Sequence, residues 1–328
     1  MKEQSPKIMF IRVIENCNAN CFMCNYARET NGKELTELEF NNLIKEMKKS
    51  EYQLIKFTGG EPLLHKGLKN FIKISKINGY KTSIITNGYL LKNKYKDLID
   101  SGLDHITISL DSNKPEVHDK IRGINGLYNK IINSIKEIKK YKSNVKIRIN
   151  TVGSYLNIFD LIDIYKLLSE LYIDQWVITP LKSTINYWNI NMIDKYYEAY
   201  LEFKKYVSEK NEIQLLGYTR DWAGRNKEEF INLIKNNKLY RPNGKCYLVD
   251  KLRFYIPSKG ILIPCNSAAH RLDEIQTSID SKNGLEENAK IMAEWLKEFG
   301  SKKCTGCGPI NVWLAENPEL LDDDVFSF

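Results

Sequence analysis

The first half of the chain alternates between short stretches that favour β-strands and longer stretches with helical periodicity. The strand-like stretches span 7–14, 53–58, 81–86, 104–110, 145–152 and 174–180. The helical ones span 34–49, 67–78, 91–101, 126–141 and 157–171. Strands separated by helices pair in parallel through right-handed crossovers. Six such units are two short of a closed eight-stranded barrel, so the pattern predicts an α/β fold built on a partial (β/α)6 TIM-type barrel.

The pattern changes after the sixth strand. Residues 186–240 have helical character and are rich in Tyr and Trp, and 252–264 resemble a hairpin followed by a helix near 284–299. We therefore expect three parts: a barrel core (1–185), a helical, aromatic connecting segment (186–240) and a small α+β domain (241–328). Near the start of the chain, Thr36 followed by Glu39 predicts a capping box at the beginning of the first helix.

Composition limits the classes of function. With 42% hydrophobic and 27% charged residues, the 328-residue chain is typical of a soluble globular protein. The net charge of +8 is spread over nearly every segment, which argues against a nucleic-acid partner. The N-terminus lacks the apolar stretch of a signal peptide, and no later run approaches the roughly 18 apolar residues of a membrane span. We expect a cytoplasmic protein without a membrane partner.

The cysteines indicate metal or redox chemistry, because an odd number, seven, in such a chain argues against a disulfide framework. Cys17, Cys21 and Cys24 form a C-x3-C-x2-C motif directly after the first predicted strand. Three thiolates on one loop can hold three irons of a 4Fe-4S cluster and leave the fourth iron open to a small molecule. A zinc site that lacks its fourth protein ligand is the alternative at this point.

A second group of cysteines lies near the end of the chain. It consists of Cys246, Cys265, Cys304 and Cys307, of which the last two form C-T-G-C. Four thiolates can fully ligate a second, auxiliary 4Fe-4S cluster, or equally a structural zinc ion. His65, His105, His118 and His270 form no ligand pattern.

Several short segments follow the predicted strands. TGGEP (58–62) ends the second strand, ITNG (85–88) the third and ISLD (108–111) the fourth, and HDKIRG (118–123) comes after the fourth. Glycines let a backbone approach a ligand closely, and the ends of successive barrel strands face one shared mouth. With the cysteine motif, these segments resemble the radical S-adenosylmethionine (SAM) superfamily over residues 7–180.

The resemblance implies a SAM site. In that family the open iron chelates the amino and carboxylate groups of SAM, and the glycine-rich segment contacts the amino group. Carried over, the expected SAM contacts are Met23, Tyr26, Gly59, Gly60, Glu61, Pro62, Thr86, Asn87, Ser109, Asp111 and Arg122. Arg122 is the candidate for the SAM carboxylate, whereas Met23 stands where the family often has an aromatic residue near adenine. The C-terminal cysteines resemble the auxiliary-cluster extension called a twitch domain, half of a SPASM domain.

Residues at the ends of the fifth and sixth strands are expected to contact the substrate. These are Arg148, Asn150, Thr179 and Lys182. The segment GYTRDWAGR (217–225) adds groups suited to an anionic or sugar-like substrate, namely Tyr218, Arg220, Trp222 and Arg225. Of all these, Arg148, Asn150, Arg220 and Trp222 are the predicted catalytic residues. Packing explains each of them nearly as well.

The resemblance implies reductive cleavage of SAM to a 5′-deoxyadenosyl radical that abstracts a substrate hydrogen, with electrons from a low-potential donor such as flavodoxin or ferredoxin. If all seven cysteines are ligands, no thiol remains to return a hydrogen, since Asn266 follows Cys265. We therefore expect net oxidation, elimination, decarboxylation or rearrangement. The chain starts almost at its first strand, without a module for docking a leader peptide, so we expect a small polar metabolite such as a sugar, aminocyclitol or nucleoside. A peptide-modifying enzyme is the alternative, and a mere scaffold or electron carrier does not explain the SAM-like segments.

Overall fold

In a computed structural model, the protein is described over residues 7–24, 32–49, 52–141, 144–181, 188–216, 219–220 and 222–236, with the backbone of 252–256 and 261–263 and the single residues 287 and 291. Nine strands occur in this part: β1 (Lys7–Ile14), β2 (Tyr52–Gly59), β3 (Lys81–Thr86), β4 (His105–Ser109), β5 (Lys146–Gly153), β6 (Gln175–Pro180), β7 (Gln214–Leu215), β8 (Leu252–Ile256) and β9 (Ile261–Ile263). They form one sheet in the order β7-β6-β5-β4-β3-β2-β1-β8-β9.

Eight α-helices lie in the described residues: α1 (Glu37–Met47), α2 (Leu68–Ile77), α3 (Leu91–Asp100), α4 (Pro115–Arg122), α5 (Leu127–Lys140), α6 (Leu161–Glu170), α7 (Ile193–Ser208) and α8 (Lys227–Asn236). Short 3-10 turns occur at Pro62–Leu64, Ile158–Asp160 and Ile190–Met192. Every strand from β1 to β8 is parallel to its neighbour, and only β9 is antiparallel. Within these residues the sheet is an open partial barrel, which confirms the predicted fold class.

The hydrophobic core lies between the sheet and its helices. Because β1 to β6 are neighbours in chain order and right-handed crossovers connect them, the helices cover one face of the sheet. Phe40 of α1 stacks on Phe71 of α2 with ring centroids 4.2 Å apart, and Trp176 of β6 meets Phe203 of α7 edge-on at 5.8 Å. The other face of the sheet is the inner, concave one.

Local signals account for several element boundaries. The predicted capping box is confirmed: Thr36 Oγ1 accepts a hydrogen bond from the Glu39 N–H (3.2 Å), and Glu39 accepts one from the Thr36 N–H (2.8 Å). Helix α4 was not predicted, since its eight residues carry too short a periodic pattern.

The hairpin predicted over 252–264 also forms. Its first strand, β8, pairs in parallel with β1 from Ile8↔Leu252 to Ile11↔Tyr255, so it extends the barrel sheet. The three-part division of the chain stays a prediction. Tyr26, Lys182, Tyr218, Cys246, Cys265, Asn266, His270, Cys304 and Cys307 lie outside the described residues. No helix in the described part is both long and apolar enough to cross a membrane.

Candidate cluster and SAM site

The three N-terminal cysteines lie on the loop that follows β1, here called the cysteine loop (Glu15–Cys24). Because the strands are parallel, this loop lies at the end of the sheet that is formed by the carboxyl ends of the strands, where β2 to β6 also end. All three thiols are free. Cys17 and Cys21 are half-buried and Cys24 is exposed, so the loop presents its sulfur atoms towards an open side.

Backbone hydrogen bonds attach the cysteine loop to the end of β2. The Gly60 N–H donates to the Ile14 carbonyl (2.8 Å), and the Glu61 N–H donates to the Asn16 carbonyl (2.9 Å). The Asn87 side chain, after β3, donates to Asn18 Oδ1 at 2.8 Å. The segments predicted to bind SAM are therefore the ones that hold the cysteine loop in place.

The glycines of TGGEP are required by contact with this loop. A side chain at Gly60 would overlap the Asn16 carbonyl oxygen, and one at Gly59 would overlap the Ile14 carbonyl oxygen. Gly59 also has a φ of +154°, which disfavours other residues. The structure thus gives these glycines a reason different from the predicted one: they let β2 approach the cysteine loop. Contact of this segment with SAM remains a prediction.

Glu61 is buried between β2 and β3. Its Oε1 accepts hydrogen bonds from Thr86 Oγ1 (2.6 Å) and the Leu63 N–H (3.0 Å), and its Oε2 accepts one from the Asn87 N–H (2.8 Å). Burial raises the pKa of Glu61 to about 7, although these three donors oppose the shift. Glu61 is 1% exposed and its carboxylate is bonded within the protein, so it holds the ends of β2 and β3 together. Its contact with SAM stays a prediction.

Asp111, just beyond β4, is a second buried acid whose carboxylate is hydrogen-bonded within the protein. Its Oδ2 accepts a 2.6 Å hydrogen bond from Arg122 Nε, and its Oδ1 accepts one from the Val152 N–H (2.9 Å). Its own N–H donates to His118 Nδ1 at 3.1 Å. Asp111 is fully buried, and its carboxylate is bonded to Arg122 and β5. Its contact with SAM stays a prediction.

The C-terminal end of α4 forms hydrogen bonds with the cysteine loop. The Asn20 N–H donates to the Arg122 carbonyl and the Phe22 N–H to the Ile121 carbonyl, both at 3.2 Å. Carbonyls at a helix C-terminus have no partner within the helix, so the loop satisfies two of them. Gly123, with φ +65°, is pressed against Asn20 and ends the helix.

The donor set fits an iron-sulfur cluster. Burial raises the pKa of Cys17 to about 11 and raises that of Cys21, which the Arg122 charge opposes. A bound cation is therefore needed to hold these thiols as thiolates. Each of the three thiolates can bind a separate iron, which suits a four-iron cluster.

The remaining predicted SAM contacts lie around this edge. Met23 is half-buried on the cysteine loop, and Pro62 is buried in the turn after Glu61. Ser109 at the end of β4 is paired in register with Asn150 of β5. Thr179 is half-buried one residue before the end of β6, and Asn150 is half-buried in the middle of β5. Their contact with the substrate stays a prediction.

Arg148 is placed differently from the prediction. It is the third residue of β5 and pairs in register with Gln175, the first residue of β6, so it lies towards the amino-terminal end of the strands. Its Nε and Nη2 both donate to Gln175 Oε1, at 3.0 and 2.7 Å. The position along the strand, which the sequence does not fix, explains why the prediction of a residue at the mouth was wrong.

Trp222, which was predicted to be catalytic, lies inside the packed core. It is fully buried, its indole ring packs over Gly153 at the end of β5, and Tyr200 meets it edge-on at 5.9 Å. The structure therefore gives it a packing role. Arg220 is exposed on the same segment, and its carbonyl accepts a hydrogen bond from the Tyr200 hydroxyl at 3.2 Å. Arg225 forms an ion pair with Glu229 (2.6 Å).

The inner face of the sheet carries basic side chains that the sequence analysis missed. Lys56 of β2 is 7% exposed and lies 5.6 Å from the centre of the Phe10 ring. Burial and the neighbouring Arg148 lower its pKa well below the usual value, and burial lowers that of His105 to about 3. Ile55 and Phe57, on either side of Lys56, face the helices. The alternation of polar and apolar residues in β2 was the available signal.

A cleft of about 540 Å³ lies at the opposite end of the strands. Lys146, Tyr172, Asp174, Glu212 and Gln214 are among its lining residues. The cleft is far along the strands from the cysteine loop, so it is not part of the candidate cluster and SAM site.

A partial parallel barrel with three free cysteines after its first strand and a glycine-rich turn after its second defines a class of SAM-dependent iron-sulfur proteins. The sequence profile of the Radical SAM superfamily matches residues 11–168. This stretch is a radical SAM domain, as the sequence predicted. The predicted 4Fe-4S cluster and SAM are the cofactors of this superfamily.

Curated relatives carry one recurring name. A probable GTP 3′,8-cyclase of Methanocaldococcus jannaschii is 27% identical over 283 residues, which cover 84% of this chain and 90% of the relative. A probable GTP 3′,8-cyclase of Thermococcus kodakarensis is 35% identical over 158 residues, or 47% of this chain. The matched stretch spans 51% of that second relative, so the similarity reaches about half its length.

Solved structures share the fold. Streptococcus suis SuiB bound to S-adenosylmethionine superposes with a TM-score of 0.64 at 17% identity, covering 94% of this chain and 72% of that one. The structure of anSMEcpe with bound AdoMet also gives a TM-score of 0.64, at 16% identity, covering 96% of this chain and 95% of that one. At these identities the likeness concerns the fold alone.

Proposed function

We propose that the protein reductively cleaves SAM to a 5′-deoxyadenosyl radical, which removes a hydrogen from a small polar metabolite that carries an anionic group. The cluster, when bound, supplies the electron that cleaves SAM. In this proposal Cys17, Cys21 and Cys24 hold the cluster. Gly59, Gly60, Thr86, Asn87, Ser109 and Arg122 surround SAM together with Met23 and Tyr26.

The observation that carries the substrate class is the set of basic side chains on the inner face. Lys56, His105 and Arg148 lie within electrostatic reach of one another on that face. Arg148 spans β5 and β6 by its bonds to Gln175. No ion pair to Lys56 is present in the described part of the chain, so this amine is buried without a carboxylate. An anion bound beside it would favour its protonated form, because the pair removes the cost of an isolated buried charge.

Asn150, Thr179 and exposed Arg220 would then contact the rest of the substrate nearer the mouth, with Lys182 as a further candidate. The name of the curated relatives, GTP 3′,8-cyclase, describes enzymes that act on a nucleotide, and it supports a nucleotide or sugar phosphate as the anionic metabolite. The second half of the reaction is either loss of an electron and a proton or a redox-neutral rearrangement.

Cys246, Cys265, Cys304 and Cys307 are the proposed ligands of a second 4Fe-4S cluster in a twitch-like domain over 241–328. That cluster would accept the electron in the oxidative case. Flavodoxin or ferredoxin is the proposed donor to the first cluster, and the cytoplasm is the proposed location.

The test is anaerobic reconstitution, followed by incubation with SAM, dithionite and separate pools of nucleotides, sugar phosphates, uncharged nucleosides and short peptides. Formation of 5′-deoxyadenosine above the substrate-free rate is measured for each pool. We expect a phosphate-bearing pool to stimulate it, and GTP is tested on its own. Equal stimulation by the matched nucleosides, or stimulation by peptides alone, would overturn the proposed substrate class.

A matched pair of variants makes the test specific to the inner face. Lys56→Met should raise the concentration of the active pool that gives half-maximal stimulation. Lys81→Met, which removes an exposed lysine at the start of β3, should not. If both variants behave like the wild type, the anion does not bind at Lys56.

A further inference from the structure

The guanidinium of Arg122 lies between a buried carboxylate and a cysteine of the cysteine loop. Its Nε donates to Asp111 Oδ2 at 2.6 Å, while its Nη1 is 4.0 Å from Cys21 Sγ. The Arg122 side chain is 11% exposed and that of Asp111 is 0% exposed, so water screens neither charge strongly. One fixed positive charge is therefore placed beside one of the three candidate ligands.

Both ends of this arrangement are held by other contacts. Asp111 is fixed by the Val152 N–H at 2.9 Å and by its own N–H to His118. The Arg122 carbonyl accepts the Asn20 N–H at 3.2 Å, one residue before Cys21. The guanidinium cannot move away from Cys21 without breaking these bonds.

We propose that Arg122, oriented by Asp111, is a positioning residue that sets the reduction potential of the cluster on Cys17, Cys21 and Cys24. Reduction adds a negative charge to the cluster, and a cation beside a ligand sulfur stabilises that reduced form. Contacts of this kind, one shell outside the ligands, tune the properties of metal sites. Asp111 acts in the opposite direction, because its carboxylate offsets part of the Arg122 charge.

This inference rests on the cluster of the proposed function, and it goes beyond the predicted role of Arg122 in binding the SAM carboxylate. The two roles separate when no SAM is present. A residue that only binds SAM leaves the potential of the SAM-free cluster unchanged. A residue that only supports the loop changes the amount of cluster but not its potential.

The experiment is an EPR-monitored redox titration of the reconstituted full-length protein without SAM, with iron content measured in parallel. The signal absent from a Cys21→Ala variant identifies the cluster concerned. At a fixed potential, we expect Arg122→Gln to lower the ratio of reduced to oxidised cluster about tenfold, which equals a shift of about 59 mV for one electron. Arg122→Lys, which keeps the charge, should restore most of that ratio.

Asp111→Asn should shift the ratio in the opposite direction from Arg122→Gln. Lys114→Gln is the matched control, since Lys114 precedes the same helix and forms an exposed ion pair with Asp160 at 2.8 Å. It should titrate like the wild type. If Arg122→Gln holds no iron, the potentials of Arg122→Lys and Asp111→Asn test the inference in its place.

Equal potentials in all loaded variants, or shifts of one sign for Arg122→Gln and Asp111→Asn, would overturn the inference and leave the proposed function intact. Absence of iron from the wild type would overturn the proposed function instead.

Discussion

The Glu61 carboxylate accepts a 2.6 Å hydrogen bond from the Thr86 hydroxyl, and this bond joins the end of β2 to the end of β3 directly beneath the cysteine loop. The same carboxylate receives the Asn87 N–H, whose side chain reaches Asn18 on the loop. A single buried acid thus connects two strand ends, and through them it fixes the support for the cysteines.

The raised pKa of Glu61 predicts how stability changes with pH. The folded protein holds this proton up to about pH 7, whereas an unfolded chain loses it near pH 4.5. The folded state therefore binds more protons in this window, and the contribution of Glu61 to the free energy of unfolding declines as pH rises from 4.5 through 7. We expect the wild type to lose up to about 1.4 kcal/mol per pH unit relative to Glu61→Gln. Urea denaturation of both proteins across this range measures the difference, and parallel curves would contradict the assignment.

Gly60→Ala should displace the cysteine loop, because the new methyl group meets the Asn16 carbonyl. The expected result is loss of at least half of the iron bound at this loop after anaerobic reconstitution. Gly79→Ala is the control, since Gly79 has φ +85° and nothing within 4 Å of an added methyl group. It should cost about 1 kcal/mol of stability and keep its iron. A Gly60→Ala protein with full iron and weakened SAM binding would instead support a direct contact of Gly60 with SAM.

The barrel order was predictable because each strand is a local hydrophobic run with its own helix, and parallel pairing follows from the connections. The cysteine loop was likewise identified by spacing alone. Three features needed the tertiary structure. The close approach of Gly60 to Asn16, the register that carries Arg148 away from the mouth, and the packing of Trp222 over Gly153 all depend on residues distant in sequence. Helix α4 gave little signal because its eight residues carry too short a periodic pattern.

Two variants of Trp222 test whether this residue has a packing role or a catalytic role. Trp222→Phe keeps most of the ring over Gly153 and removes an Nε1–H that has no hydrogen-bond partner among the described residues. We expect it to retain SAM cleavage within about twofold. Trp222→Ala should lower the free energy of unfolding by about 3–5 kcal/mol, measured by urea denaturation. Loss of activity in the Phe variant at unchanged stability would restore the catalytic role.

Lys56→Met tests how the buried Lys56 side chain affects the stability of the protein. The lowered pKa of Lys56 means that the unfolded chain binds this proton more readily, so stability rises with pH up to the ordinary lysine range. Replacing the buried ammonium should increase the free energy of unfolding by about 1 kcal/mol or more at pH 7 and flatten this rise. Lys81→Met should change neither. A destabilised Lys56→Met protein would show that the ammonium has a structural partner.

The central claim is that Cys17, Cys21 and Cys24 hold the cluster that cleaves SAM, and it is tested by measuring 5′-deoxyadenosine and iron in the anaerobic protein. We expect about eight irons per wild-type chain, from two four-iron clusters, and reductive formation of 5′-deoxyadenosine. Replacement of these three cysteines by Ala should remove half the iron and all 5′-deoxyadenosine. Cys304→Ala with Cys307→Ala should leave some SAM cleavage. Continued cleavage of SAM by the first variant, or stoichiometric zinc at the cysteine loop of the wild type, would contradict the account.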